Sequence, residues 1–107
     1  MLTIDFLYYE GCPSHDVALD RLNTVLDEVG LSAQIHVTKV ETDEQAQELR
    51  FPGSPTIRVE GQDIDPPDAA QVAYTLTCRA YRRPDGRITP LPTADLIRQA
   101  LLAATQP

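Results

Sequence analysis

The stretch from Leu2 to Pro13 constrains the fold more than any other part of the chain. Leu2, Ile4, Phe6 and Tyr8 alternate with Thr3, Asp5, Leu7 and Tyr9, the two-residue period of a β-strand. Gly11 breaks the run, and Cys12 is followed at once by Pro13. Proline suits the first helical position, where its missing N–H would be unpaired anyway. Beyond it Val17, Ala18, Leu22, Val25, Leu26 and Val29 recur at three- and four-residue spacing. That spacing predicts a helix with one apolar face, stopped near Gly30. Gln34 to Val40, carrying Ile35, Val37 and Val40, then supplies a second strand. A strand, a helix and a strand in this order imply a right-handed parallel crossover.

The remaining elements are shorter. Thr42 and Gln45 form a capping-box pattern ahead of a short helix through Leu49. Phe51, Pro52, Gly53, Ser54 and Pro55 make a turn, and Thr56 to Glu60 reads as a third strand. From Gly61 to Thr77 the pattern is weak, with Pro66 and Pro67 and one helical turn expected around Ala69 to Tyr74. Cys78 to Arg82 suits a fourth strand, and Pro84, Asp85 and Gly86 a turn. Thr93 can cap a last helix that buries Leu96, Ile97, Ala100, Leu101 and Ala104. The expected architecture is α/β: one domain over residues 1–107, with a four-stranded mixed sheet and helices on both faces.

Composition narrows the function classes. A formal net charge of -7 disfavours a nucleic-acid partner, because phosphate binding needs clustered Lys and Arg. Arg79, Arg82, Arg83 and Arg87 are the local exception. They read either as a solvated strand and turn or as a cationic rim for an anionic ligand or acidic surface. No apolar run approaches the roughly 20 residues of a membrane span. Met1 to Tyr9 contains Asp5 and no basic stretch, unlike a signal peptide. A cytoplasmic protein without a membrane partner is the expectation.

Two cysteines, Cys12 and Cys78, are too few for a disulfide scaffold. Cys12 lies in Gly11-Cys12-Pro13-Ser14-His15, where the first strand hands over to the first helix. A helix start presents unpaired N–H groups and positive potential. A thiolate held there is stabilised, and its pKa can fall from about 8.5 to between roughly 3.5 and 7.5. His15, three residues on, would lower it further if protonated or accept the proton if neutral. Tyr8 and Tyr9, beside the motif, read as packing residues, and His36 on the second strand as a surface histidine.

On the Cys-Pro-x-x segment at the head of the first helix and on Ser54-Pro55-Thr56 opening the third strand, the chain resembles the thioredoxin and glutaredoxin superfamily. It is similar in particular to a group of small bacterial thioredoxin-like proteins. The resemblance implies a nucleophilic Cys12 and a cis-proline at Pro55, with Pro13, Ser54, Pro55 and Thr56 against substrate. His15 occupies the place of the second cysteine of the redox motif. Glu10 and Gly11 stand where thioredoxin has a tryptophan before the motif. Pro84-Asp85-Gly86 replaces the paired glycines with which glutaredoxins hold glutathione.

The implied function is therefore thiol–disulfide exchange through one catalytic cysteine, Cys12, assisted by His15. The reaction would use a protein or small-molecule disulfide or thiol, and no bound cofactor. Glutathione or another external thiol would resolve the mixed disulfide. Two other classes stay open. Cys12 and His15 have the spacing of half a soft-metal site for zinc, copper or mercury. A non-catalytic scaffold could instead bind a partner peptide at Pro55. In the simple topology Cys78 starts its strand roughly 13–17 Å from the Cys12 end of the sheet, too far for a disulfide, which needs Cα atoms within about 7 Å. Only a rerouting of the chain between Gln62 and Thr77 would bring them together.

Overall fold

A computed structural model describes residues 1–68, 70, 72–83 and 85–105. Its centre is β1 (Leu2–Tyr8), paired in parallel with β2 (Ala33–Lys39) from Leu2 opposite Ala33 to Tyr8 opposite Lys39. On its other side β1 runs antiparallel to β3 (Thr56–Val59), with Leu7 opposite Thr56 and Ile4 opposite Val59. A short β4 (Gln62–Asp63) pairs with β3, giving a mixed four-stranded sheet in the order β2-β1-β3-β4.

The alternation along β1 assigns its two faces. Ile4 and Phe6 are buried with Ala18, Leu22 and Val25 of α1 (His15–Val29) and with Ile97 and Leu101 of α3 (Ala94–Ala104). Leu7 points the other way and packs with Val40, with Phe51 and with Ala46 of α2 (Asp43–Leu49). The sheet is thus covered by α1 and α3 on one face and by α2 on the other. Both expected caps form: the Thr42 and Thr93 hydroxyls accept from the N–H groups of Gln45 and Leu96, each at 3.1 Å. Each such cap satisfies a donor that the first helical turn leaves open.

Several expectations are corrected. Helix α1 starts at His15 behind Ser14, so Pro13 precedes the helix rather than occupying its first turn. The cause is a turn in which the Cys12 N–H donates to the Tyr9 carbonyl at 3.0 Å. Val17 is 51% exposed. It aligns with Arg21, Thr24 and Glu28 on the flank of α1, off the face that Ala18, Leu22 and Val25 bury.

The fourth strand is also not where the pattern put it. β4 follows β3 directly, through Glu60 (φ 52°) and Gly61 (φ 81°). Positive φ at both central residues is the two-residue hairpin turn that matches strand twist. Glu60 therefore begins the hairpin turn instead of ending the strand. Tyr81 and Arg82 form β5 (Tyr81–Arg82), which pairs only with β6 (Ile88–Thr89) in a separate two-stranded ribbon. Of the helical turn expected at Ala69 to Tyr74, Ala69 lies outside the described residues, as does Gln71. The Val72 N–H donates to the Asp68 carbonyl at 3.0 Å. Pro84 of the expected Pro84-Asp85-Gly86 turn also lies outside them, while the Gly86 N–H closes on the Arg83 carbonyl at 2.9 Å.

Candidate functional site

Cys12 and Cys78 are joined in a disulfide, with Cα atoms 5.5 Å apart and 66 residues between them in sequence. The reading of Cys78 as a strand residue remote from Cys12 is overturned. Cys78 lies alongside Ser54, in an isolated parallel bridge. A parallel approach of this kind reverses the direction that a fourth antiparallel strand would have had. It puts Cys78 at the end of the sheet where β1 runs into α1.

The bridge is held by both main-chain groups of Ser54. Its N–H donates to the Thr77 carbonyl at 2.8 Å, and its carbonyl accepts from the Arg79 N–H at 2.9 Å. The Ser54 hydroxyl accepts from the Tyr9 N–H at 2.9 Å, which fixes the turn leading to Cys12. Cys12 Sγ lies 3.6 Å from the Ser54 carbonyl oxygen. The Ser54–Pro55 peptide is cis. Ser54, Pro55 and Thr56, expected against substrate, are all buried. Here the segment Thr77–Arg79 occupies the main-chain groups of Ser54 that a substrate backbone was expected to use, and the Pro55 carbonyl accepts from the Tyr81 hydroxyl at 2.7 Å. Pro13 is exposed beside the motif.

The two cysteines are unequally exposed. Cys12 has no exposed surface, whereas Cys78 is exposed. His15 stands beside the pair but turns to the main chain: its Nδ1 is 2.9 Å from the Cys12 carbonyl oxygen. Its ring stacks on Tyr8 with centroids 4.5 Å apart. The two residues expected to form half a metal site are thus engaged otherwise, Cys12 in the disulfide and His15 with a carbonyl. Among the described residues no group of three or more His, Cys, Asp or Glu is placed to hold a metal ion.

Two anchors fix the segment carrying Cys78, and neither was visible in the residue pattern. Upstream, Asp43 in the first turn of α2 accepts from the Thr75 hydroxyl at 2.7 Å and the Leu76 N–H at 3.1 Å. The Thr75 hydroxyl, with the Leu76 N–H adding to it, holds the Asp43 carboxyl below its ordinary 3.8. Downstream, the Arg79 guanidinium is buried and grips both Asp63 carboxylate oxygens, at 2.8 and 3.0 Å. It also donates to the Asp65 carbonyl and the Tyr81 hydroxyl and lies over the Tyr81 ring.

Arg79 is therefore neither a solvated residue nor part of a cationic rim. Arg82, Arg83 and Arg87 do stay exposed, with Arg83 and Arg87 beside Asp85. Burial raises the Tyr81 phenol well above its ordinary 10.0, with Arg79 opposing only in part, so Tyr81 remains a donor to Pro55. At the rim, the Lys39 ammonium hydrogen-bonds the Glu10 carboxylate at 2.6 Å, which lowers the Glu10 pKa and raises that of Lys39.

Compared with known proteins, the chain matches no protein-family model and no curated protein. Among the described residues no helix is long and apolar enough to cross a membrane.

Proposed function

We propose that this is a thioredoxin-like thiol–disulfide redox protein whose working group is the Cys12–Cys78 pair. The observation that carries the proposal is the disulfide itself: one cysteine just ahead of α1, the other exposed. A helix start stabilises a thiolate there, and an exposed partner gives an external thiol a way in. The sheet order β2-β1-β3-β4, with α2 opposite α1 and α3, adds support from the fold. The resemblance suggested one working cysteine with a thiol from outside. With Cys78 beside Cys12, the chain carries its own resolving partner. Glutathione or a similar thiol then serves as reductant, and a protein or small-molecule disulfide as substrate.

The direct test equilibrates the protein in buffers of reduced and oxidised glutathione, traps thiols by alkylation and counts them by mass. Two thiols should appear and disappear together and reversibly in the folded protein. The reduced protein should also speed reduction of a small disulfide such as hydroxyethyl disulfide. A disulfide that glutathione opens only after unfolding would overturn the proposal.

A further inference from the structure

Thiol–disulfide exchange requires an incoming thiolate to reach one of the two sulfurs, and the sulfur attacked decides which cysteine meets the partner. At this site the cysteine beside the helix is the enclosed one. Cys12 is completely buried, its N–H is tied to Tyr9 and the Ser54 carbonyl oxygen is 3.6 Å from its sulfur. Cys78 is exposed, as is Thr77 before it, while Arg79 after it is buried.

We propose that Cys78 is the sulfur that exchanges with external thiols and disulfides, and that Cys12 is the buried leaving and resolving thiolate. The assignment rests on the thiol–disulfide function proposed above and reverses the order that the superfamily resemblance implies, in which Cys12 attacks.

In the reductive direction a glutathione thiolate attacks Cys78 Sγ. A glutathione–Cys78 bond forms as the Cys78–Cys12 bond breaks, and the electron pair leaves on Cys12 Sγ. Cys12 lies just before α1 (His15–Val29), whose N-terminal end favours negative charge, and a stabilised thiolate leaves faster. A second glutathione thiolate attacks the glutathione sulfur of the mixed disulfide, expelling Cys78 as thiolate and forming glutathione disulfide. Two glutathione thiols are oxidised and one protein disulfide is reduced. In the reverse direction the Cys78 thiolate attacks a substrate disulfide, one substrate thiolate leaves, and Cys12 then displaces the other from Cys78. Arg79 and Asp43 are positioning residues in this scheme: they hold the segment on either side of Cys78 without touching the sulfurs.

Single-cysteine variants and the intact protein test the assignment together. Folded Cys12→Ser, which retains Cys78, should form a mixed disulfide with glutathione disulfide at least roughly ten-fold faster than folded Cys78→Ser. In denaturant the two rates should converge. If either variant fails to fold, oxidised wild-type protein is exposed to limiting glutathione, quenched in acid and mapped by peptide mass. Glutathione carried on Cys78 supports the proposal. Glutathione carried on Cys12, or a folded Cys78→Ser that reacts as fast as Cys12→Ser, overturns it while leaving the redox function intact. Glutathione on neither cysteine, with the disulfide unbroken, overturns both.

Discussion

Gly53 and Arg79 are in direct backbone contact: a Cβ added at Gly53 would stand 2.8 Å from both the Cα and the N of Arg79. The carbonyl carbon of Cys78 would be 3.0 Å away. Ser54 can bond to Thr77 and Arg79, and Cys78 can reach Cys12, because position 53 carries no side chain.

Gly53→Ala is accordingly expected to push the 77–79 segment off Ser54. The native φ of 143° adds backbone strain to the clash. A loss of about 1–3 kcal/mol follows from strain and overpacking of this kind. Urea unfolding of the oxidised protein measures it, and hydrogen exchange at the Arg79 amide should accelerate in parallel. An unchanged midpoint and unchanged exchange would show that the contact is not limiting.

The Arg79–Asp63 pair has side chains only 5% and 12% exposed. Removing one partner of such a pair leaves an uncompensated buried charge, so Arg79→Met should cost about 3–5 kcal/mol. The double variant Arg79→Met/Asp63→Leu should cost clearly less than the two single changes added together. Strict additivity in a double-mutant cycle would mean that the pair does not act as a unit.

Asp43 gives the Cys78 segment a pH-sensitive tether. Its carboxylate form is the one favoured by Thr75 and Leu76, so the stabilisation is whole above 3.8 and is lost as pH falls through the lowered folded value. The Leu76 amide resonance should titrate with a midpoint below 3.8 in the native protein and show no such step in Asp43→Asn. A midpoint at or above that value would remove the tether from the account.

For Tyr81 the sign is opposite. The unfolded chain ionises this phenol near 10.0 and the folded chain only at higher pH, so its contribution is whole below 10.0 and falls as pH rises beyond it. Of the four tyrosines in the chain, Tyr81 should ionise only as the protein unfolds, which phenolate absorbance reports. Tyr81→Phe keeps the ring but strands the Pro55 carbonyl, at a cost of about 1–3 kcal/mol. A Tyr81→Phe protein of unchanged stability would mean that the hydroxyl contributes nothing net.

The amino-acid sequence by itself determined the periodic part of this protein. Alternation through Leu2, Ile4 and Phe6 fixed β1 and its buried face. The spacing of Ala18, Leu22 and Val25 fixed the core side of α1, and Thr42 and Thr93 marked two helix starts. These are local properties, because strand period, helix period and capping depend on residues a few positions apart. Cys12 was equally legible, as a thiol at the hand-over from strand to helix.

The partner of Cys12 was decided only by the tertiary structure. Cys78 is 66 residues away, reached through a segment with no usable periodicity. Its course follows from contacts between distant residues: Asp43 with Leu76, Gly53 with Arg79, Asp63 with Arg79 and Ser54 with Thr77. None of these pairs has a spacing that a local pattern can encode. Each arises because the packed sheet presents a carboxylate, a side-chain-free backbone or an open main-chain edge where the chain passes. The same packing buries Cys12 and leaves Cys78 outside.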